Sequence, residues 1–370
     1  MNRAPREDPA ALLLRRPAVG LACRQDIYER YIDARDVARL SEQADLEFRP
    51  FNARSDLRTT ERDAEAEKEL AGFCSGLDAL IVCHGAPYLG ADAIANAPRL
   101  HFVGELEGDR FANRIDLDAA HRQGITVVDT THGSSWPTAE WALGLTLIGL
   151  RNAGALFRRL IAHETPYPKG KEWRNHGRGF DGAELSGKQI GLLGFGHVAW
   201  RLCELMAPFG VEVCAFDPYA PRELALAYNV AFAPIERVFA ADVVICLLPL
   251  TPGTEKLIGA DELELLSPTS VFVNVSRGGV VDSLALERRL ARGDVVACLD
   301  VFDPEPFPLD SPLLDLANVF VSPHIAGVTE ESRRRFFSLM VDELLRFFDG
   351  LEPMNALTAR ITRLRTTGHV

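Results

Sequence analysis

Short, almost wholly apolar runs alternate along the chain with longer segments of helical spacing. In the first third the runs Val19–Ala22, Asp45–Phe48, Ala79–Val82, His101–Val103 and Thr126–Val128 predict strands. In the second half Gln189–Leu193, Val211–Phe216, Val243–Leu248, Val271–Val275, Val296–Val301 and Val319–Val321 do the same. Runs without a polar face belong to strands covered on both sides. Segments such as Arg30–Leu40 and Ala91–Ala97 supply crossover helices, and this alternation is the pattern of parallel α/β architecture. Ala139–Arg151 carries a long apolar helix signal, and Glu330–Phe348 a strong amphipathic one with Gly350 as its stop. Between the two series lies a polar stretch, His163 to Ser186, holding Pro166, Pro168, Gly170, Gly177 and Gly179, which reads as a connector. A chain of 370 residues exceeds one comfortable core, so two doubly wound domains are expected. Past the last helix stands a tail with Arg360, Arg363 and Arg365, and no internal repeat is evident.

Composition narrows the partners. A formal net charge of −12 argues against nucleic acid, although one buried arginine can still bind a small anion. No apolar stretch reaches the length of a membrane span. Ala10–Leu14 is too short for a signal peptide core. The seven cysteines show no metal or redox spacing, so no metal is expected and a reducing, cytoplasmic compartment is inferred.

The best local signal is Ile190-Gly191-Leu192-Leu193-Gly194-Phe195-Gly196-His197-Val198-Ala199. A strand ends at Gly194, which permits a tight turn. Gly196 lets the backbone approach a pyrophosphate, and the small Ala199 lets the following helix pack closely. The helix N-terminus offers N–H groups and a positive dipole end to phosphate. Asp217, eighteen positions beyond Ala199, closes the next strand, where it can accept from a ribose diol and repel a 2′-phosphate, favouring NAD. Without that acid the glycines would fit a cofactor-free turn equally well. His197 either leans toward the pyrophosphate or is an exposed turn residue.

Three further loops follow candidate strands: Val273–Asp282 with Arg277, Leu299–Pro306 with Asp300 and Glu305, and Val321–Gly327 with His324. In doubly wound folds such loops face one crevice. Alone, each group has a plain structural reading: a structural histidine, an ion pair of Arg277 with Asp282, an exposed acid between prolines. Taken together with Pro249-Leu250-Thr251, Ser-Arg-Gly-Gly, Asp-Val-Phe, Pro-Glu-Pro and Pro-His-Ile, in that order, the set resembles the D-isomer-specific 2-hydroxyacid dehydrogenase family over nearly the whole chain.

That resemblance implies a Rossmann NAD-binding domain, residues 151–327, inserted into a flavodoxin-like substrate domain formed by residues 1–150 and 328–370. It implies dimers made through the nucleotide domains. It also implies that His324 is the general acid/base, that Glu305 is its carboxylate partner, and that Arg277 binds the substrate carboxylate and carbonyl. Histidine suits the proton role because its ordinary pKa is about 6.5. Asp300 matches the nicotinamide carboxamide contact, Val275 and Ser276 flank the nicotinamide, and Val198, Pro249 and Gly327 complete the cofactor-binding positions.

Departures from the family fall mostly in the substrate domain. Leu247 stands where a histidine is common. The loop that holds the substrate carboxylate through backbone N–H groups is here Gly104–Phe111, with Glu105, Glu107 and Asp109. Facing the cleft these acids would repel a carboxylate; otherwise they point to solvent or pair with Arg110. Trp136 and Pro137 replace smaller residues, which suggests an altered pocket. Phosphoglycerate, glyoxylate or hydroxypyruvate, and a bulkier oxo acid are the alternatives. The chain ends soon after its last helix, leaving little room for the regulatory domain of many serine-pathway members. Formate-oxidising members carry Gln where Glu305 stands. A dimeric, NADH-responsive corepressor on the same fold is the alternative outside enzymology.

Overall fold

Parallel strands buried on both faces need continuous apolar sequence, and all eleven of the expected runs contain strands. The computed structural model describes residues 15–55, 60–164 and 182–367. The run Ala10–Leu14 and most of the predicted connector lie outside the described residues, as does the side chain of Arg365. The chain divides into two compact units: the described residues up to Ser134 with Thr329–Thr366, and Ser135–Val328.

In the first unit β1 (Ala18–Cys23), β2 (Asp45–Pro50), β3 (Ala79–Val82), β4 (Phe102–Glu105) and β5 (Thr126–Asp129) form one parallel sheet in the order β2-β1-β3-β4-β5. This is the flavodoxin-like order. The expected single helix Arg30–Leu40 is two, Gln25–Tyr31 and Ala34–Leu40, because Asp33 leaves helical geometry and caps the second by accepting from the N–H of Arg35. The helix Glu330–Phe348 returns to this unit. Thr329 and Ser332 close its N-terminus with reciprocal hydrogen bonds, and Phe336, Phe337, Met340, Val341 and Leu344 share a core with Val19, Leu21, Ile81 and Phe102. The arginine-bearing tail is helical, Ala359–Thr367, with Ile361 packed on the opposite core.

In the second unit β6 (Gln189–Leu193), β7 (Glu212–Phe216), β8 (Ala231–Phe232), β9 (Val243–Cys246), β10 (Val271–Asn274), β11 (Val296–Leu299) and β12 (Val319–Val321) are all parallel. Their order, β12-β11-β10-β9-β6-β7-β8, is a Rossmann sheet with its switch point between β6 and β9. Two-residue β8 was too short to leave a sequence pattern. The apolar helix runs Ser135–Leu150, with Pro137 tolerated in its first turn. The sequence reading puts this helix in the first domain, yet it groups with the second unit. Its Ala139, Ala142, Leu145 and Leu150 are buried with Ile190, Val271 and Cys298.

The carboxyl edge of the first sheet carries a buried ionic network. Arg114 and Glu105 are both fully buried and form a salt bridge. Arg114 also donates to Ser55 Oγ (2.6 Å), to the Glu107 carbonyl (2.9 Å) and to His84 Nδ1 (2.7 Å). Nδ1 therefore accepts, and His84 Nε2 donates to Glu107 at 2.9 Å, beside the Tyr31 hydroxyl at 2.7 Å. So Glu105 and Glu107 neither point to solvent nor pair with Arg110, because a buried guanidinium and two further donors hold them. The amides of Leu106, Gly108, Arg110, Phe111, Ala112 and Arg114 all donate within the unit, to Val82, Thr131, Gly108, Asp129 and Glu105.

Breaking such a pair strands a buried charge. Arg114→Met is expected to lower stability by about 3–5 kcal/mol, measured as a fall in urea midpoint, with partial recovery in Arg114→Met/Glu105→Gln. Asp129, buried at the end of β5, is pushed up to about 7, first by burial and then by the charge of Glu105. Folded Asp129 thus keeps a proton that the unfolded carboxyl, with its ordinary value of 3.8, has released, so its contribution to stability falls as pH rises through that window. Urea midpoints from roughly pH 5 to pH 8 should therefore shift in favour of Asp129→Asn over the wild type as pH rises.

Candidate functional site

Everything at the candidate site stands on the carboxyl edge of the second sheet. β6 is followed by Gly194, whose φ of +91° favours glycine and where a Cβ would sit a tight 3.1 Å from the Leu247 carbonyl oxygen. Gly196 then caps the helix His197–Met206 without any side-chain cap. An uncapped ten-residue helix starting at the switch point is suited to a diphosphate. Asp217, just past β7, reaches back: Oδ2 accepts from the N–H of Phe195 at 2.8 Å, and Oδ1 from those of Tyr219 (2.8 Å) and Ala220 (3.0 Å). The acid and the glycine turn are thereby fixed side by side, as a dinucleotide requires. His197 packs its ring on Trp200, centroids 4.6 Å apart. Val198 follows it in the first turn.

Past β9, the Pro249 carbonyl accepts from Thr254 Oγ1 at 2.6 Å. At the end of β10, Asn274 organises the next turn. Its Oδ1 accepts from Ser276 N–H (3.0 Å) and Oγ–H (2.9 Å), and its Nδ2 donates to the Arg277 carbonyl (3.2 Å). Val275 and Ser276 are buried, and Arg277 Nη1 donates to the Ser276 carbonyl at 2.6 Å. Gly278 brings two loops together: a Cβ there would sit 1.9 Å from the Phe302 carbonyl carbon. That close approach seats the Arg277 turn on the backbone of the loop that carries Glu305.

Glu305 is clamped at both oxygens. Oε1 accepts from the N–H of Phe302 at 3.0 Å, and Oε2 meets His324 Nδ1 at 3.0 Å. Both side chains are mostly buried. Asp300 is fully buried, and its carboxylate is taken up by the loop around His324: Oδ1 accepts from Ser322 Oγ–H (2.5 Å) and Ile325 N–H (3.1 Å), Oδ2 from Ala326 N–H (2.8 Å). His324 itself sits in the left-handed region at φ +53°.

Arg277, Glu305 and His324 thus follow three adjacent strands, β10, β11 and β12, and interlock through Gly278–Phe302 and Phe302–Glu305–His324. Sequence reasoning missed Asn274, Ser322 and Trp141, whose indole Nε1 donates to Ser322 Oγ at 3.1 Å. An Asn closing a strand and a Ser before Pro-His were the available signals; nothing local marks Trp141. Trp136 is occupied within this unit by the Arg201 guanidinium, 4.4 Å above its ring. Among the described residues no cluster of His, Cys, Asp or Glu could hold a metal ion, and no helix is long and apolar enough to cross a membrane.

A glycine turn, an uncapped helix and an acid at the switch point, on the same sheet edge as a carboxylate-held histidine, fit a dinucleotide-binding oxidoreductase of the doubly wound class. Residues 152–326 match the family model for the D-isomer specific 2-hydroxyacid dehydrogenase, NAD binding domain. The chain is 32% identical over 286 residues to the glyoxylate reductase of Aeropyrum pernix, spanning 76% of this chain and 83% of that protein. It is also 32% identical over 287 residues to the D-3-phosphoglycerate dehydrogenase of Methanocaldococcus jannaschii, covering 77% of this chain but only 52% of that longer relative. In fold it is similar to a phosphoglycerate oxidoreductase from Rhizobium etli, with a TM-score of 0.74 at 22% identity over 92% of this chain and 97% of the other. The chain belongs to the D-isomer specific 2-hydroxyacid dehydrogenases, NAD-dependent oxidoreductases.

The Gly278 contact makes its own test. Gly278→Ala must displace backbone at Phe302, so it should destabilise the fold by about 1–3 kcal/mol in denaturant unfolding. NADH binding, followed by nicotinamide fluorescence, should weaken much less than turnover does.

Proposed function

We propose that this chain interconverts a 2-oxo acid and a D-2-hydroxy acid, with His324 as general acid/base, Glu305 as its partner and Arg277 as the carboxylate and carbonyl ligand. The observation that carries this reading is the Glu305–His324 pair. With Nδ1 hydrogen-bonded to Glu305 at 3.0 Å, Nε2 would be the nitrogen that exchanges a proton with the substrate oxygen. The carboxylate holds the imidazole ring in orientation for that transfer. Bound NADH supplies the hydride. Arg277 offers a planar fork to the carboxylate and polarises the adjacent carbonyl. Its role gains weight because most amides of the Glu105–Arg114 loop are already engaged within the first unit.

Gly194, Gly196, His197 and Val198 would face the pyrophosphate, and Asp217 the ribose diol, excluding a 2′-phosphate. Pro249, Val275, Ser276, Asp300 and Gly327 would surround the nicotinamide. Exposed Phe157, Leu160 and Ile161 on the helix Ala153–Ile161 support a homodimer made through the second unit. Seven free cysteines, six of them buried, suit a cytoplasmic setting.

The test is NADH oxidation across a panel of 2-oxo acids from glyoxylate to phosphorylated and aromatic ones. Turnover with at least one member is expected, far slower with NADPH, and alkaline pH should favour the oxidative direction because reduction consumes a proton. His324→Gln should lower turnover about 10²–10⁴-fold with NADH affinity nearly intact. Bound NADH without turnover of any member would overturn the enzyme reading in favour of an NADH-responsive interaction protein.

A further inference from the structure

His324 holds a left-handed backbone conformation that non-glycine residues adopt uncommonly. Asp300 accepts from three successive amides of this turn, those of His324, Ile325 and Ala326. The Asp300 carbonyl accepts from the N–H of His324 at 2.9 Å, while its carboxylate takes the next two amides, Ile325 (3.1 Å) and Ala326 (2.8 Å). A fully buried carboxylate can do this only while its own position is fixed.

That position is set by a relay with a forced direction. Indole Nε1 can only donate, so Trp141 gives its proton to Ser322 Oγ at 3.1 Å. The Ser322 hydroxyl then has one proton to give, and it goes to Asp300 Oδ1 at 2.5 Å. Trp141 lies on the helix Ser135–Leu150, whose neighbouring Ala139, Ala142 and Leu145 are buried in the core of the sheet. The relay therefore anchors the histidine loop to a rigid element.

We infer that Trp141 and Ser322 are positioning residues for proton transfer, acting through Asp300 to hold His324 in its left-handed turn with Nδ1 on Glu305. The inference rests on the proposed role of His324. Without the serine proton, Asp300 Oδ1 keeps one donor instead of two and is free to turn. The turn at His324 then relaxes toward ordinary geometry, and the imidazole swings away from Glu305. The dinucleotide turn at Gly194 is untouched by this, so the loss should fall chiefly on kcat, with a smaller rise in the NADH KM from the place of Asp300 beside the nicotinamide.

The experiment compares wild type, Ser322→Ala, Ser322→Thr, Trp141→Phe and the double variant Ser322→Ala/Trp141→Phe, with His324→Gln alongside, on the best oxo acid of the panel. Ser322→Ala should lower kcat by about tenfold or more, Trp141→Phe less, and Ser322→Thr should restore most of it. The double variant should be no worse than Ser322→Ala, because both break one chain of contacts. Circular dichroism and NADH binding check that each variant folds, and Trp141→Phe serves if Ser322→Ala does not. Wild-type kcat in both folded single variants, with His324→Gln impaired, overturns the positioning role and spares the proposed function. So does full additivity in the double variant. Wild-type turnover in His324→Gln overturns the role of His324 itself, and this inference with it.

Discussion

In a fully parallel sheet all strands end on the same edge, and the loops that leave them must share that edge. In the second unit this constraint gathers residues as far apart in sequence as Gly194 and His324. The switch point between β6 and β9 opens a gap for a helix N-terminus, while β10, β11 and β12 deliver Arg277, Glu305 and His324 in neighbouring positions. The chemistry then depends on how tightly adjacent loops can be pressed together. Gly278 sets that distance, since any side chain there would collide with the Phe302 backbone.

The two units treat buried carboxylates differently. Asp300 receives three donors and needs no counter-ion, which suits a group whose task is to hold backbone. Glu105 has Arg114, and Glu107 has Tyr31 and His84. Asp129 accepts two amides but lies near Glu105, and burial with that neighbour pushes its carboxyl up to about 7. A family position usually associated with glycine and free amides is thus occupied here by a self-satisfied ionic cluster. Its acids are committed to each other's partners, so their number alone says little about which anions the first unit tolerates.

Within the second unit, the glycine turn and the His324 loop are held by separate sets of contacts. The Gly194–Asp217 pairing stands at the switch point, whereas His324 is set by Asp300, Ser322 and the helix bearing Trp141. A substitution in one part need not disturb the other, because no hydrogen bond described for Asp217 reaches the β11–β12 loops.

The sequence by itself determined the two parallel sheets, since buried parallel strands demand continuous apolar runs, and its glycine spacing marked the turn after β6, while Arg277, Glu305 and His324 were singled out by resemblance to the family's ordered motifs. It misjudged the break at Asp33 and the allegiance of the helix Ser135–Leu150, because a short cap competes weakly with periodicity and an all-apolar helix shows no preferred face. Only the tertiary structure decided that Glu105 and Glu107 turn inward, that Asp300 serves the histidine loop, and that Trp141 supports Ser322. Each of those depends on residues far apart in the chain meeting within hydrogen-bond distance, and a contact of that kind leaves no periodicity to read.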